Sequence, residues 1–384
     1  MSSNYKRIGE YIELVDERNS DLSINLLLGL TVDKKFIPSV ANTVGTNMKN
    51  YKIIRKNQFA CSMMQVRRDK KMPIAILKDF EEAIISQAYP VFQVVDESLL
   101  DPDYLMMWFS REEFDRQATF HAVGGVRGSL EWEDFLDFEL PIPSIEKQRE
   151  IVKEYNTVTN RIKLNEQLNQ KLEETAQALY KHWFVSPNKK YSKKKLGDIT
   201  SLITDGKHGN CKDEPNSGYY FLSAKDVRHT LMYDNARQIN KKEFDETHRR
   251  TDLNPKDICL VNTGATIGRM CLAPANSRTR RTTFQKSVAV IKPKESVSSG
   301  FYLYCLLKNE MREIIELGKG TSQSNLLLGD LKEFEVDFPE TNKIQEFEIK
   351  VTPIFNLLES NSEENFLLEK IKLIILMKMS NVKN

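Results

Sequence analysis

The stretch Ile151–Trp183, IVKEYNTVTNRIKLNEQLNQKLEETAQALYKHW, contains a seam of residues spaced alternately four and three positions apart over nearly five heptads. A period of 3.5 residues is typical of an α-helix that buries one narrow stripe against another helix. The seam positions are Ile151, Tyr155, Val158, Ile162, Asn165, Asn169, Leu172, Ala176, Leu179 and Trp183. The stretch therefore predicts a coiled-coil helix with two asparagines at the centre of an otherwise apolar seam.

A second stretch repeats this pattern at an offset of 196 residues. Its seam positions are Phe347, Val351, Ile354, Leu358, Asn361, Asn365, Leu368, Lys372, Ile375 and Met379. Lys372 is the one charged residue among them. A single stripe of this kind is more often an amphipathic helix that lies on its own domain. Two copies with asparagines at matching positions instead favour two helices that pair with each other.

The region before each helix is also duplicated. Asp103–Phe109 matches Phe301–Leu307 at an offset of 198, and Asp134–Pro143 matches Asp330–Pro339 at an offset of 196. The first pair of segments predicts an apolar helix. The second pair predicts a strand, because its apolar residues alternate and lead to a proline. Short β-like runs bounded by Gly, Pro and Asn surround these segments, so each region predicts a β-rich domain.

The repeat divides the chain into four segments. We predict a first domain at 1–143, a first helix at 144–186, a second domain at 187–339 and a second helix at 340–384. The lysines of Lys189–Lys195 predict a linker after the first helix. About 33 residues of seam span roughly 50 Å, and parallel helices would force the second domain to return the chain over that length. We therefore expect an α+β fold with two long antiparallel helices and two domains related by pseudo-twofold symmetry.

Antiparallel pairing can align the seams so that the numbers of facing residues sum to 530. In this register Asn165 faces Asn365 and Asn169 faces Asn361, so the amides can hydrogen-bond to each other. A buried polar group without a partner costs about 1–3 kcal/mol. A slip of one heptad would set the amides against Leu or Ile. We therefore expect the four asparagines to fix the helix register.

Composition restricts the function further. The 384 residues exceed the usual length of one compact domain, and the formal net charge is only +2. Nucleic-acid binding would therefore depend on local basic patches. The cysteines form no CxxC pair, which argues against a zinc site or a disulfide framework; they are Cys61, Cys211, Cys259, Cys271 and Cys305. We expect a cytoplasmic protein, since no secretion signal or membrane span is indicated.

Several motifs together resemble the specificity subunits of type I restriction-modification systems. They are Leu140–Val152 (LPIPSIEKQREIV) and Ala178–Phe184 (ALYKHWF) in the first half, and Thr204–His208 (TDGKH), Tyr219–Val227 (YYFLSAKDV), Val261–Arg269 (VNTGATIGR) and Gly320–Ser324 (GTSQS) in the second. The resemblance covers nearly the whole chain. It implies that the two domains are target-recognition domains, each of which reads half of a split DNA sequence, and that the helices set the spacing between them.

The same resemblance implies partners. They are double-stranded DNA, two methyltransferase subunits, and restriction subunits that act as translocase and nuclease. S-adenosylmethionine is expected on the methyltransferase subunits, with no cofactor on this chain, and the target is expected to be methylated at adenine. The first half departs from the family pattern, because Ala60–Met64 stands where the second half has Leu260–Gly264. Different halves should read different sequences, so an asymmetric target is implied.

The sequence offers no catalytic motif. Methyl transfer needs a Gly-rich turn between a strand and a helix for the cofactor and a polar-Pro-Pro-aromatic motif for a flipped adenine, and neither occurs. Val123–Gly128 is Gly-rich but lacks the Lys-Ser/Thr of a phosphate loop, so it predicts a hairpin. The histidines show no HExxH-type spacing. We therefore expect no catalytic residue and no metal site in this chain.

Cations and amides in loops are the candidates for DNA contact, because cations anchor phosphates while Arg, Lys and Gln can pair with base edges. In the second domain the candidates are Lys207, His208, Lys225, Arg228, Thr266, Arg269, Lys286, Ser322 and Gln323. In the first domain they are Arg67, Arg68, Lys70, Gln87, Arg127 and Ser129. Arg278, Arg280 and Arg281 form a further basic cluster that we expect to hold the DNA backbone. A solvated surface position is the alternative for each residue.

Two other functions are compatible with this organisation. One is a two-headed coiled-coil adaptor that binds proteins and has no DNA specificity. The other is a methyltransferase fragment that has lost its cofactor site. Salt dependence separates the adaptor from a DNA reader, because a protein that neutralises several phosphates loses affinity steeply between roughly 50 and 200 mM salt.

Overall fold

The chain forms two compact units, Met1–Ile162 with Phe366–Asn384, and Lys163–Asn365. The structure, a computed structural model, describes residues 5–39, 45–124, 128–185, 191–318 and 325–381. Each unit combines a β-rich domain with segments of both long helices. Of the helices in these ranges, none is both long enough and apolar enough to cross a lipid bilayer.

The first unit is built on a four-stranded antiparallel sheet. The strands of the whole unit are β1 (Tyr5–Arg7), β2 (Ile12–Val15), β3 (Leu28–Leu30), β4 (Phe36–Pro38), β5 (Lys52–Arg55), β6 (Phe59–Cys61), β7 (Ile74–Ile76), β8 (Glu82–Ile85), β9 (Val91–Val94) and β10 (Glu139–Pro141). Its helices are α1 (Val66–Asp69), α2 (Pro102–Phe109), α3 (Glu112–His121), α4 (Trp132–Leu136) and the first part of α5 (Ile145–Phe184). The sheet order is β2-β9-β6-β7.

Aromatic residues fill the core between this sheet and the helices. Phe59 of β6 and Phe92 of β9 stack with ring centroids 5.0 Å apart, and Phe109 of α2 meets the edge of Phe59 at 6.0 Å. Helix α2 begins at this core because Asp101 accepts hydrogen bonds from the first-turn amides and Pro102 fits the first helical position. The apolar segment that the repeat predicts as a helix is therefore a buried helix against the sheet.

The second unit repeats the plan. Its strands are β11 (Ser192–Lys195), β12 (Thr200–Asp205), β13 (Tyr220–Leu222), β14 (Ile258–Val261), β15 (Met270–Leu272), β16 (Thr282–Phe284), β17 (Val288–Pro293) and β18 (Glu335–Phe338). Its helices are α6 (Leu196–Ile199), α7 (Lys241–Thr251), α8 (Gly300–Leu317), α9 (Leu328–Glu333) and most of α10 (Thr341–Lys378). The main sheet has the order β12-β17-β14-β15. This strand order matches that of the first unit, β2-β9-β6-β7, which confirms an α+β fold with two β-rich domains.

The long helices α5 and α10 run antiparallel, as predicted. In the second unit Asn165 donates to Asn365 at 2.8 Å, and Asn361 donates to Asn169 at 2.8 Å. Trp183 lies 6.1 Å from Phe347, measured between ring centroids. All three pairs have residue numbers that sum to 530. Every seam residue of both helices is buried or half-buried.

Two local expectations need correction. The Lys189–Lys195 stretch is not simply a linker, because Ser192–Lys195 is strand β11 and pairs with β18; residues 189 and 190 lie outside the described residues. The strand expected at Asp134–Pro143 covers only Glu139–Pro141, since α4 occupies Trp132–Leu136. The same holds in the second unit, where α9 ends at Glu333 before the strand begins. Alternation of apolar residues thus concealed a helical turn ahead of each strand.

Candidate nucleic-acid interface

In the first unit, the connection between β6 and β7 contacts the segment that follows α3. The connection contains α1 with Arg67 and Arg68. The Arg67 amide donates to the Gly128 carbonyl at 3.4 Å, and its guanidinium donates to the Gly124 carbonyl at 3.2 Å. Val123 and Ser129 exchange two backbone hydrogen bonds of 2.9 Å, so the chain pairs antiparallel on either side of residues 125–127, which lie outside the described residues. Arg127 lies outside the described residues.

In the second unit, the equivalent connection between β14 and β15 contacts the segment that follows α8. Thr263 donates to the Asn325 side chain at 3.0 Å, and the Leu326 amide donates to the Asn262 carbonyl at 2.8 Å. This connection carries Thr266 and Arg269. Ser322 and Gln323 belong to the contacted segment but lie outside the described residues. Loops matched by sequence alone thus occupy equivalent places in the two sheets and meet the same neighbouring segment.

Glycines give the β14–β15 connection its shape. Gly264 and Gly268 have φ angles of +98° and +86°, which side chains rarely adopt. A Cβ at Gly268 would also lie 2.5 Å from Cδ1 of Ile315 on α8. The TGATIG part of the motif therefore provides a tight turn packed on α8, with Arg269 exposed at its end.

A third loop brings Lys207, His208 and Lys286 together. The Lys207 amide donates to the Phe284 carbonyl at 2.8 Å, and the Lys286 amide donates to the Lys207 carbonyl at 3.0 Å. A Cβ on Gly206 would lie 2.1 Å from the Phe284 carbonyl oxygen. The TDGKH motif therefore needs glycine at 206, because the backbone of Phe284 comes too close for a side chain. This close approach places Lys207 beside Lys286.

The charges in this loop are not equally available. Lys207 forms an ion pair with Glu243 at 2.5 Å, and this hydrogen bond raises the pKa of Lys207 and lowers that of Glu243. His208 lies 3.5 Å from Asp205. Lys286 is exposed, and no carboxylate of the described residues pairs with it. Lys286 is thus the more available cation.

Arg228 and Arg269 line one open cleft of about 760 Å³. The Arg269 guanidinium reaches the Val227 carbonyl at 3.4 Å, and both arginines are exposed. Lys225 precedes Arg228 in the same segment and is exposed, 3.5 Å from Asp226. His229 and Lys308 also line the cleft, although sequence reasoning did not select them. Lys308 immediately follows the apolar run of α8, which is the signal that could have identified it.

The three arginines between positions 278 and 281 differ in their exposure to solvent. Arg278 is half-buried and makes a two-pronged pair with Glu363 of α10, at 2.7 and 3.0 Å. Arg280 and Arg281 are exposed. Only these two therefore present an accessible guanidinium for a DNA backbone.

In the described part of the first unit, the remaining candidate DNA-contact residues lie at separate places and do not line one cleft. Arg68 pairs with its neighbour Asp69 at 2.7 Å, and Lys70 is an exposed residue with a φ of +51°. Gln87 is exposed in the turn between β8 and β9. That turn is equivalent to the one carrying Lys286, since each precedes the second strand of its sheet.

Within the described ranges, no group of His, Cys, Asp and Glu residues is arranged to hold a metal ion. All five cysteines are free and buried. Burial raises the pKa of the Cys61 and Cys305 thiols, as is typical of structural cysteines. These groups are part of the core.

Comparison with known proteins agrees with this arrangement. The model of the type I restriction modification DNA specificity domain matches residues 33–174 and 188–369. The specificity subunit of the type I restriction enzyme MjaIX from Methanocaldococcus jannaschii is 23% identical over 302 residues, which cover 72% of this chain and 68% of that one. The HindI specificity subunit from Haemophilus influenzae is 24% identical over 160 residues, or 41% of this chain and 34% of that one.

A solved structure shares the fold. The S subunit of the type I restriction-modification system from M. genitalium superposes with a TM-score of 0.56 at 14% identity, covering 99% of this chain and 96% of that one. The family model matches most of the sequence, in one region of each half. The chain therefore belongs to the type I restriction modification DNA specificity family.

Proposed function

We propose that this specificity subunit reads a bipartite, asymmetric DNA target, with one half-site for each domain. The observation that carries the proposal is the repeated loop arrangement. The same connection of the sheet meets the same following segment in both units, yet one contact joins Arg67 to Gly128 and the other joins Thr263 to Asn325. Equivalent loops with different side chains are suited to reading different bases.

Arg228, Arg269 and Lys286 supply the DNA contacts of the second domain in this proposal. They are exposed, and no carboxylate among the described residues forms an ion pair with them. A guanidinium can pair with two acceptors of guanine or with a phosphate, whereas an ammonium acts as a point charge. Lys225, Arg280 and Arg281 add phosphate contacts around them.

The chemistry is assigned to partner subunits. Two methyltransferase subunits that carry S-adenosylmethionine would modify adenine, and restriction subunits would join them in the cytoplasm. This chain would contribute recognition and a scaffold but no catalysis. Leu367, Ile371 and Ile374 of α10 are 44–57% exposed and follow one face of the helix. Such an apolar stripe outside the seam suits a methyltransferase subunit as occupant.

The test uses the chain assembled with its methyltransferase subunits. Methylome sequencing of cells with and without the gene gives the target, and fluorescence anisotropy then measures affinity between 50 and 200 mM salt. The double variant Arg228→Ala with Arg269→Ala should bind DNA at least about ten-fold more weakly than the wild type. The slope of its log affinity against log salt concentration should also be shallower, by an amount equivalent to the loss of about one or two phosphate contacts. Lys350→Ala on α10 is the control and should bind like the wild type.

Two results would count against DNA reading. One is wild-type binding that hardly changes with salt, which fits a protein adaptor. The other is an unchanged methylome after deletion of the gene.

A further inference from the structure

The loop between β15 and β16 is held to helix α10 by a two-pronged ion pair. Nη2 of Arg278 lies 2.7 and 3.0 Å from the two carboxylate oxygens of Glu363. The Arg278 side chain is only 16% exposed, and its guanidinium packs over the Tyr233 ring at 4.6 Å. One guanidinium nitrogen thus contacts both carboxylate oxygens, and this charge-assisted contact is largely shielded from water.

Further hydrogen bonds hold the same loop to the same helix. Nδ2 of Asn276 donates to Glu363 at 2.6 Å, and the Ala275 amide donates to Glu359 one turn earlier on α10. The Asn276 side chain also accepts from the Arg278 amide at 3.0 Å, which shapes the loop around the ion pair. We call Ala275, Asn276, Arg278, Glu359 and Glu363 the clasp.

Apolar packing beside the clasp is incomplete. A cavity of about 170 Å³ lies between the loop, α8 and α10, and Pro274, Phe301 and Leu358 are among the residues that line it. Phe301 of α8 stacks on Phe355 of α10 with ring centroids 4.4 Å apart. This stack holds α8 on α10, but the cavity interrupts apolar packing between the loop and α10. The position of the loop on α10 therefore depends on the clasp.

The clasp joins two functionally important places. On the helix, Glu363 lies between Asn361 and Asn365, the amides that pair with Asn169 and Asn165. On the loop, Arg278 is followed by the exposed Arg280 and Arg281. The clasp thus connects a DNA-facing candidate loop with the polar centre of the helix pair.

We infer that Arg278 and Glu363 are positioning residues that determine which spacer length between half-sites the subunit accepts. The inference rests on the proposed function, because only a DNA target with two half-sites contains a spacer. If the clasp is lost, the loop can shift over the cavity while the Phe301–Phe355 stack stays in place. The loop that carries Arg280 and Arg281 then tolerates a range of positions on α10, while the apolar core shared by the sheet, α8 and α10 stays intact, and the subunit accepts a range of spacer lengths.

The experiment measures binding of the complete methyltransferase complex to a series of duplexes with unchanged half-sites. The spacer is the natural one, or one base pair shorter or longer. For Glu363→Gln, the preference for the natural spacer should fall by about five-fold or more, a coupling of ordinary size for groups in direct contact. Discrimination against a base change within either half-site should stay as in the wild type, which a general loss of structure would not allow.

Two further variants keep the test decisive. Arg278→Lys retains the positive charge but loses the planar guanidinium that lies over Tyr233, so its preference for the natural spacer should lie between those of the wild type and Glu363→Gln. Glu369→Gln breaks an ion pair within α10, with Lys372 at 2.9 Å, and is the matched control that should keep full preference. Thermal unfolding of each variant identifies any that fails to fold, and Arg278→Lys then carries the test.

The outcomes separate the two proposals. A wild-type complex without any preference for half-sites contradicts the proposed function. A wild-type complex with a sharp spacer preference that Glu363→Gln and Arg278→Lys both retain overturns the inference alone.

Discussion

Gln148 is a fully buried polar side chain at the start of α5. It accepts from the Asp101 amide at 2.9 Å and donates to the carbonyls of Leu99 at 2.8 Å and Pro143 at 2.9 Å. One side chain thereby satisfies the end of the loop before α2 and the entry to α5. This explains why the Leu140–Val152 motif has a glutamine at this position, because its side chain can both accept and donate the hydrogen bonds that the three backbone groups need.

Replacing Gln148 with Leu should lower the free energy of unfolding of the first unit by about 2–4 kcal/mol. The reason is that one amide and two carbonyl groups lose their partner, and each unsatisfied buried group costs about 1–3 kcal/mol. Denaturant unfolding followed by tryptophan fluorescence measures the change. Gln345→Leu, at an exposed position of the second helix, should change stability by less than about 0.5 kcal/mol. A loss below about 1 kcal/mol for Gln148→Leu would mean that water replaces the side chain.

Candidate DNA contacts could be predicted from sequence only in part. The loops that carry Arg228 and Arg269 are recognisable from the neighbouring motifs, and both residues, like Lys286, are exposed. Lys207 and Arg278 have the same chemistry, but their charges are neutralised by Glu243 and Glu363, which lie 36 and 85 residues away in the chain. Nothing local in the sequence indicates such pairing, so availability of a charge emerges only from the fold.

At the scale of elements, the central amides of the long helices are mutually satisfied. Asn165, Asn169 and Asn361 are 2–6% exposed and Asn365 is half-buried, and the amides bond in facing pairs. Asn165 also donates to Glu364 at 2.8 Å. Lys372, the charged seam residue, pairs with Glu369 instead of meeting an apolar partner. That the four asparagines fix the register stays a prediction.

Changing Asn165, Asn169, Asn361 and Asn365 together to Leu should keep the helices paired and raise their melting temperature, while allowing slippage by a heptad. Disulfide cross-linking can detect the slippage. Leu172→Cys with Leu358→Cys belongs to the native register, and Leu172→Cys with Val351→Cys belongs to a register shifted by seven residues. The native chain should cross-link only the first pair, whereas the Leu variant should cross-link both. Cross-linking of the native pair alone in both backgrounds would show that other contacts determine the register.

Helices were easier to predict than short strands, for a physical reason. Nearly five heptads give a period many chances to appear, and the seam residues of both helices are buried or half-buried. The strands are three to six residues long, so two or three alternating residues carry little information. Strand β11 looked like a charged linker because Lys193 and Lys195 face solvent and pair with Asp337 and Glu333. Edge pairing with β18, more than a hundred residues away, forms this strand.

At the scale of the whole molecule, the modular plan predicts separable recognition. Exchanging the first β-rich domain for that of a relative should change one half-site and leave the other half-site and the spacer length unchanged. The donor segment has to preserve contacts with Ile375, Leu376 and Met379, which are buried in the first unit's core. Methylome sequencing reads the outcome directly.

The reciprocal exchange is the control for this prediction. Replacing the second β-rich domain should change only the other half-site. Simultaneous change of both half-sites after either exchange would refute modular reading.

The position of Met379 in the first core also matters while the chain is being made. Tyr5 donates to the Ser380 carbonyl at 3.1 Å, although 375 residues separate them in the chain. At about 5–20 residues per second, a ribosome needs roughly 20–75 s to travel from one to the other. All residues of the second unit are synthesised before the last residues of the first core, Ile375, Leu376 and Met379. The domain encoded first is thus completed last, and its nascent form leaves part of its apolar core uncovered until these three residues are in place.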